Sequence, residues 1–286
     1  MMKSLVSSYT LAEMIGDPDQ WPDLRIVDAS WHLPGAGRDA LAEYQSCHIT
    51  GAVFLDLGGL TDTSTTLPMM LPPSGVFVDK VQALGLGDNS KIVLYDNSAL
   101  HSSARAWWMF VKIFGASHVA ILDGGFVKWR AEGRQTDTDI PKFPPTRFTP
   151  RYCHAAVRSK SEISANLTSQ AEQLLDARSE ARFAGAEPEA RPNLAAGHIP
   201  KSLNLPYDRL FDADGCWKKP AELTAIFEAS GVGMSQPVVT SCGSGTTAAV
   251  LNFAAHLIGK EDIALYDGSW TEWGSDPDLP KAVGVP

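Results

Sequence analysis

Short apolar runs alternate along this chain with segments in which apolar side chains recur at helical spacing. Residues 92–95 (IVLY) and 237–241 (PVVTS) are apolar and rich in β-branched residues, as expected for buried strands. Each run is followed by a turn and then by a helix-like segment, at residues 103–112 and 246–257. This alternation predicts an α/β fold with a mainly parallel sheet, in which sites form where strands end and helices begin.

Several motifs occur twice, in the same order, at offsets of about 144 to 150 residues. The matched pairs are Ile26–Ser30 with Leu175–Arg178, His48–Ala52 with His198–Ser202, and Leu122–Trp129 with Tyr266–Trp273. A repeat of this length indicates two copies of one domain and not a short-period solenoid.

The segment between the copies is rich in proline, with four prolines between Pro141 and Pro150. Proline has a restricted φ and no backbone N–H, so we expect an extended connector here. The predicted organisation is a first domain at residues 1–138, a linker at 139–157 and a second domain at 158–286.

Composition narrows the possible partners. The chain has 286 residues, of which 44% are hydrophobic, enough for two cores, and a net charge of -9. A negative chain repels phosphate backbones, so we expect no nucleic-acid partner. No apolar run is long enough to cross a bilayer, so we expect no membrane partner either.

The four cysteines form no C-x-x-C pair, which argues against a structural zinc site. The first residues lack the apolar core of a signal peptide. We therefore expect free thiols and a cytoplasmic location.

The main candidate for chemistry is Cys242, at the turn between an apolar strand and a helix. The loop after it contains glycines and hydroxyl-bearing residues, namely Gly243, Ser244, Gly245, Thr246 and Thr247. Glycines let backbone N–H groups turn inward, and a helix start adds further free N–H groups and a positive dipole end. These features would stabilise a nucleophilic thiolate. A buried structural cysteine is the alternative, but it would need neither feature.

The other thiols, Cys47, Cys153 and Cys216, lack this setting and are predicted to be structural or surface residues. In the first copy, Asp96 occupies the position of Cys242, in a loop about two residues longer. We therefore predict one active copy and one inactive copy.

Six motifs together resemble the tandem-rhodanese sulfurtransferases: Val27–Trp31, Ser103–Met109, Leu122–Gly125, Gly197–Pro200, Cys242–Thr247 and Tyr266–Trp270. The resemblance implies two tandem rhodanese-like domains, each a mainly parallel sheet flanked by helices. It also implies an inactive first domain and a persulfide-forming cysteine, Cys242, in the second.

Within that family, thiosulfate-preferring members carry basic residues after the cysteine. The uncharged sequence Gly243-Ser244-Gly245 looks instead like the loop of the 3-mercaptopyruvate group. By this resemblance Arg182 and Arg191 bind the substrate carboxylate, a role that suits a guanidinium group. The alternative for either arginine is a surface salt bridge with a nearby glutamate.

The chain departs from the pattern of the 3-mercaptopyruvate group at two positions. Met69 stands where that group usually has a first-domain histidine, and Gly58 where it often has an aspartate. Methionine cannot transfer protons, so we expect Ser244 and the loop amides to assist Cys242 instead.

The resemblance implies a small-molecule sulfur donor, release of pyruvate, and thioredoxin or a small thiol as acceptor, with no metal or organic cofactor. Thiosulfate sulfurtransferase is one alternative. A cysteine phosphatase would need an arginine six residues after the cysteine, where this chain has Ala248. A non-catalytic persulfide carrier or binding module is the third alternative.

Overall fold

The computed structural model describes residues 2–189, 191 and 193–284. These residues form two compact units, and each unit takes in one short segment from the other half of the sequence. The first unit contains the described residues of 1–61, 72–153 and 212–217, and the second those of 62–71, 154–211 and 218–286.

The first unit is built on a five-stranded, all-parallel sheet with the strand order β1-β6-β5-β2-β4. A small antiparallel pair, β3 and β7, lies apart from it. The strands are β1 (Leu5–Val6), β2 (Leu24–Asp28), β3 (His48–Ile49), β4 (Ala52–Phe54), β5 (Lys91–Tyr95), β6 (Val119–Leu122) and β7 (Thr136–Asp137). The helices are α1 (Ser8–Gly16), α2 (Ala40–Ser46), α3 (Ser74–Ala83), α4 (Ser103–Trp107), which continues as a π-helical segment (Trp108–Ile113), and α5 (Gly125–Ala131).

The second unit has its own five-stranded, all-parallel sheet, in the order β10-β9-β11-β12-β8. Its strands are β8 (Val157–Arg158), β9 (Gln173–Asp176), β10 (Leu203–Asn204), β11 (Val238–Ser241) and β12 (Ile263–Tyr266). Its helices are α6 (Lys160–Ser169), α7 (Glu180–Phe183), α8 (Pro220–Ala229), α9 (Ala248–Leu257) and α10 (Ser269–Trp273), with 3₁₀ turns at His154–Ala156 and Tyr207–Leu210.

The two sheets have the same topology. Read from the opposite edge, the second sheet runs β8-β12-β11-β9-β10, which matches β1-β6-β5-β2-β4 strand for strand. The predicted α/β class, with mainly parallel sheets flanked by helices, is confirmed. The matched order also accounts for the motifs that recur in the sequence.

The core of the second unit explains the position of its central strand. All four residues of β11 are buried, as expected for a parallel strand covered on both faces. Val239 packs with Tyr266, Trp270 and Trp273 in one apolar cluster. Strand β11 is thereby held in the middle of the sheet, and its carboxyl end carries Cys242.

Residues 139–153, within the predicted linker, contain no helix or strand and belong to the first unit. The Arg151 N–H donates to the Phe114 carbonyl and the Cys153 N–H to the Ile113 carbonyl, both at 2.9 Å. The last residues of this segment are therefore held against the end of the π-helical segment.

Candidate active site

Cys242 is the first residue after β11, and helix α9 begins six residues later at Ala248. The cysteine is only 2% exposed. Gly245 has a φ of 78°, in the left-handed region, so the loop needs a glycine at this position. The tight turn keeps Cys242 at the carboxyl end of the sheet and close to the start of the helix.

Two loop carbonyls are held by the first turn of α10. The Trp270 N–H donates to the Cys242 carbonyl at 2.9 Å, and the Thr271 N–H donates to the Gly243 carbonyl at 3.0 Å. In a trans peptide the N–H points away from the C=O. The N–H groups of Gly243 and Ser244 are therefore directed away from this turn, and successive backbone N–H groups of such a loop can stabilise an anion.

The same turn holds the backbone of Cys242. Its N–H donates to the Ser269 hydroxyl at 3.2 Å, and that hydroxyl donates to the Tyr266 carbonyl at 2.8 Å. Because both ends of the Cys242 residue are bonded to the turn, the side chain projects from a fixed backbone.

The hydroxyl-bearing residues of the loop are also buried: Ser244 is 6% exposed, Thr246 3% and Thr247 8%. The Thr246 Oγ1 has no hydrogen-bond partner in the described part of the chain. A buried hydroxyl of this kind is available to a bound group.

Arg182 comes from helix α7 and reaches the loop. A Cβ added at Gly243 would lie 3.4 Å from the Arg182 Nη2, so the guanidinium packs directly against the loop backbone. The Arg182 Nη2 also donates to the Glu189 Oε2 at 2.5 Å, and the Arg182 Nε is buried with no partner among the described residues. The predicted alternative of a salt bridge is thus partly realised, but with a buried carboxylate and not at the surface.

Arg191 approaches from the segment after α7. Its Nη1 donates to the Thr271 Oγ1 at 2.6 Å, and the Thr271 hydroxyl donates to the Gly243 carbonyl at 2.6 Å. Burial lowers the pKa of Arg191, a nearby Cys242 thiolate raises it, and the Arg182 charge lowers it again. The thiol and both predicted arginines therefore lie within one electrostatic neighbourhood.

Tyr207, which the sequence did not single out, belongs to this neighbourhood. Burial raises the pKa of its phenol, the carboxylate of Asp208 and the thiolate of Cys242 raise it further, and the Arg182 charge lowers it. The Tyr207 N–H donates to the Ala177 carbonyl, and the Ala177 N–H donates to the Ser241 carbonyl. Two backbone bonds thus connect Tyr207 to strand β11, which ends just before Cys242. Its place in a connecting segment without periodicity left no signal in the sequence.

Met69 and Gly58, the two departures from the pattern of the 3-mercaptopyruvate group, fall in different units. Met69 is buried in the second unit, with a φ of 60°. Two residues later, the Leu71 N–H donates to the Asp267 carboxylate at 2.6 Å. Asp267 lies two residues before Ser269, whose hydroxyl accepts a hydrogen bond from the Cys242 N–H. Gly58 belongs to the first unit.

The equivalent loop of the first unit carries its own carboxylate. Asp96 accepts hydrogen bonds from the N–H groups of Ser98 and Ser103, each at 2.9 Å. The first unit therefore has a side-chain carboxylate, held by hydrogen bonds, at the position where the second unit has the thiol of Cys242. A cavity of about 730 Å³ opens beside it, lined in part by His101 and Lys128.

Cys216 has a very different environment from that of Cys242. Burial and the neighbouring Asp123 carboxylate raise the pKa of its thiol to about 11. The thiol is protonated at neutral pH and is a poor nucleophile.

Neither a metal centre nor a membrane span is visible in the described ranges. No three His, Cys, Asp or Glu side chains within them are grouped to hold a metal ion. None of the helices there combines the length and the apolar character needed to span a bilayer.

The fold and the loop together define a class: an α/β protein of two similar domains, one of which carries a cysteine in a glycine-containing strand-to-helix loop. The family description "Rhodanese-like domain" matches residues 8–132 and 159–276. The chain therefore belongs to the rhodanese family, as its motifs predicted.

Similar proteins carry sulfurtransferase names. The thiosulfate sulfurtransferase of Cricetulus griseus is 40% identical over 276 residues, covering 96% of this chain and 92% of the relative. The thiosulfate/3-mercaptopyruvate sulfurtransferase 1, mitochondrial, of Arabidopsis thaliana is 38% identical over 280 residues, covering 91% and 74%. The predicted enzyme class, a sulfurtransferase, is confirmed.

Among solved structures, SseA from Escherichia coli, described as a 3-mercaptopyruvate sulfotransferase with the rhodanese fold, superposes with a TM-score of 0.84. It is 35% identical, and the match covers 94% of this chain and 99% of that one. The predicted two-domain rhodanese fold is thereby confirmed at the level of three-dimensional structure.

Proposed function

We propose that this chain transfers sulfur from 3-mercaptopyruvate to a thiophilic acceptor through a persulfide on Cys242. The observation that carries the proposal is that a buried thiol, loop amides directed away from α10 and two arginines lie in one unit. No basic side chain occurs between Cys242 and Thr247, so positive charge comes only from outside the loop.

In the first step, Arg182 and Arg191 bind the carboxylate of 3-mercaptopyruvate and place its sulfur beside Cys242. Guanidinium groups suit this role because they bind carboxylates with two parallel hydrogen bonds and remain charged. The side chain of Arg182 is 34% exposed although it pairs with Glu189, so part of its guanidinium group stays open to the substrate.

In the second step, the Cys242 thiolate attacks the substrate sulfur. An S–S bond forms, the C–S bond of the substrate breaks, and its electron pair leaves on carbon as the enolate of pyruvate. Protonation of the enolate gives pyruvate, and Cys242 keeps the outer sulfur as a persulfide. Ser244 and the amides around it stabilise the negative persulfide.

In the third step, an acceptor thiolate attacks the outer sulfur. The persulfide S–S bond breaks, and its electrons return to Cys242 as the thiolate, which completes a double-displacement cycle. Thioredoxin or a small thiol is the expected acceptor. These steps use no metal or organic cofactor. We expect a cytoplasmic location for this chain, whereas the Arabidopsis relative is mitochondrial by name.

Thiosulfate sulfurtransferase activity is the second candidate, favoured by the 40% identity to the Cricetulus enzyme. Thiosulfate is a dianion with no carboxylate, and the same two arginines could hold it. Because the loop itself is uncharged, we expect thiosulfate to be the poorer donor.

The test is the steady-state release of pyruvate from 3-mercaptopyruvate with a thiol acceptor, measured beside thiosulfate with cyanide. We expect a preference for 3-mercaptopyruvate that disappears in Cys242→Ser. Arg182→Ala and Arg191→Ala should raise KM by about tenfold or more. Arg209→Ala is the matched control, because this arginine is exposed and pairs with the exposed Glu180.

Two other outcomes would contradict part of the proposal. A preference for thiosulfate would overturn the substrate assignment and keep the nucleophile. A Cys242 persulfide seen by mass spectrometry, without turnover of either donor, would favour the non-catalytic carrier.

A further inference from the structure

The Thr271 hydroxyl joins two parts of the site. It accepts a hydrogen bond from the Arg191 Nη1 at 2.6 Å and lies 2.6 Å from the Gly243 carbonyl oxygen. The direction of both bonds is determined by chemistry, because a guanidinium has donors only and a carbonyl has acceptors only. The hydroxyl must accept from Arg191 and donate its single proton to Gly243.

This carbonyl belongs to the peptide that joins Gly243 to Ser244, whose N–H is directed away from α10. The Gly243 oxygen also accepts from the Thr271 N–H at 3.0 Å, so two donors of one residue hold it. The N–H on the other side of the same peptide is that of Ser244. The orientation and polarity of the Ser244 N–H therefore depend on Thr271.

Hydrogen bonds in a chain polarise one another. A positive Arg191 makes the Thr271 hydroxyl a stronger donor, and a stronger bond to the Gly243 oxygen makes the Ser244 N–H a better donor to an anion. Thr271 thereby connects a carboxylate-binding cation to the amides around the sulfur.

We propose that Thr271 is a positioning residue that holds Arg191 in place for the substrate and polarises the Ser244 amide toward the Cys242 sulfur. The proposal rests on the proposed function, which puts the substrate at the Arg191 end of this connection and the thiolate at the Ser244 end. In this role Thr271 acts on the substrate and on the thiolate through Arg191 and Gly243 and not by direct contact.

The most informative variant is Thr271→Val, which nearly keeps the side-chain volume and keeps the backbone N–H bond to the Gly243 carbonyl but removes the hydroxyl. Thr271→Ser restores the hydroxyl and is the rescue variant. The matched control is Thr224→Val, because the Thr224 hydroxyl also donates to a backbone carbonyl, that of Pro220, on an exposed part of α8.

The first readout is alkylation of Cys242 by iodoacetate and by iodoacetamide, followed by mass spectrometry of the peptide that contains Cys242. The two reagents have similar size, but only iodoacetate carries a carboxylate. The ratio of their rate constants therefore reports how well the arginines hold a carboxylate. The iodoacetamide rate alone reports the reactivity of the thiol.

We expect Thr271→Val to lower the ratio by about tenfold, which corresponds to about 1.4 kcal/mol, and to lower the iodoacetamide rate by a smaller factor. Thr271→Ser and Thr224→Val should keep the wild-type ratio. In an Arg191→Ala background, Thr271→Val should change the ratio no further, because the cation it positions is gone. With 3-mercaptopyruvate, Thr271→Val should raise KM by more than it lowers kcat.

An unchanged ratio in Thr271→Val would overturn the proposal, as would a ratio that Thr271→Ser fails to restore. Failure of the proposed function has a different signature. If the wild-type protein releases no pyruvate but the ratio falls in Thr271→Val and recovers in Thr271→Ser, the positioning role stands and the substrate assignment is wrong.

Discussion

The Glu189 Oε2 accepts a hydrogen bond from the Arg182 Nη2 at 2.5 Å, so a buried carboxylate holds one of the two candidate substrate-binding arginines. The other oxygen, Oε1, accepts from the Arg178 Nη1 at 2.7 Å. The side chain of Glu189 is 2% exposed, and that of Arg178 is 1% exposed. Arg182, at 34%, is the member of the cluster that remains open to a ligand.

Glu189→Gln should destabilise the protein and disturb the site. Arg178 keeps Asp176 as an ionic partner, but the variant replaces a buried charged acceptor of two guanidinium groups by a neutral amide, so we expect a loss of about 2 kcal/mol in the free energy of unfolding. Arg182 should also lose its fixed position, and KM for 3-mercaptopyruvate should rise. Urea unfolding followed by tryptophan fluorescence measures the first effect, and pyruvate release measures the second.

Glu180→Gln is the control, since the pair that Glu180 forms with Arg209 is more than half exposed on both sides. Pairs of this kind contribute about 0.5 kcal/mol. Equal unfolding free energies for the two variants would show that burial of Glu189 has no energetic consequence.

Asp28 should make stability depend on pH in the first unit. It occupies the place of Asp176, but Ser30 stands where Asp176 has the cationic partner Arg178. Burial raises the pKa of Asp28 to about 6, although hydrogen bonds from Ser30 lower it.

A carboxyl group whose pKa is raised by folding contributes stability below its unfolded pKa of about 4 and loses that contribution as the pH rises through 6. Asp28→Asn should remove this loss. The free energy of unfolding of the wild type should fall by about 2 kcal/mol relative to the variant between pH 4 and pH 7. Parallel curves for the two proteins, from denaturant unfolding at each pH, would contradict the assignment.

Tyr207→Phe should lower kcat for pyruvate release by about tenfold and leave KM nearly unchanged. The raised pKa of the Tyr207 phenol keeps it neutral at physiological pH, so it can donate a proton or hydrogen bond beside the departing enolate. Tyr9→Phe is the control, because Tyr9 is 62% exposed and lies in the first unit. A Tyr207→Phe protein with the wild-type kcat would exclude the phenol from the reaction.

Ser244→Lys should shift donor preference toward thiosulfate. A lysine in the loop adds a point charge where a dianion would bind, and we expect the ratio of kcat/KM for thiosulfate to that for 3-mercaptopyruvate to rise by about tenfold. Ser244→Ala separates the added charge from the lost hydroxyl. If Ser244→Ala shifts the ratio as much as Ser244→Lys does, loop charge does not set donor preference.

Part of the site was predictable because its signals are local. Cys242, the glycines around it and the helix start lie within a few residues of each other, so their chemistry could be read from the order of residues. Arg182 and Arg191 came from a resemblance to known loops. Tyr207 and Thr271 had no such signal, since their roles depend on segments far apart in the chain.

The amino-acid sequence by itself determined the duplication, the alternation of strands and helices, the position of Cys242 at a strand-to-helix turn, and the replacement of that cysteine by Asp96 in the first copy. Periodicity and neighbouring residues are sufficient for such features. Only the tertiary structure decided that Glu189 is buried between two arginines and that Thr271 connects Arg191 to the Gly243 carbonyl. These contacts exist because parallel strands bring the loops at their carboxyl ends to one edge of the sheet, and sequence spacing carries no record of that meeting.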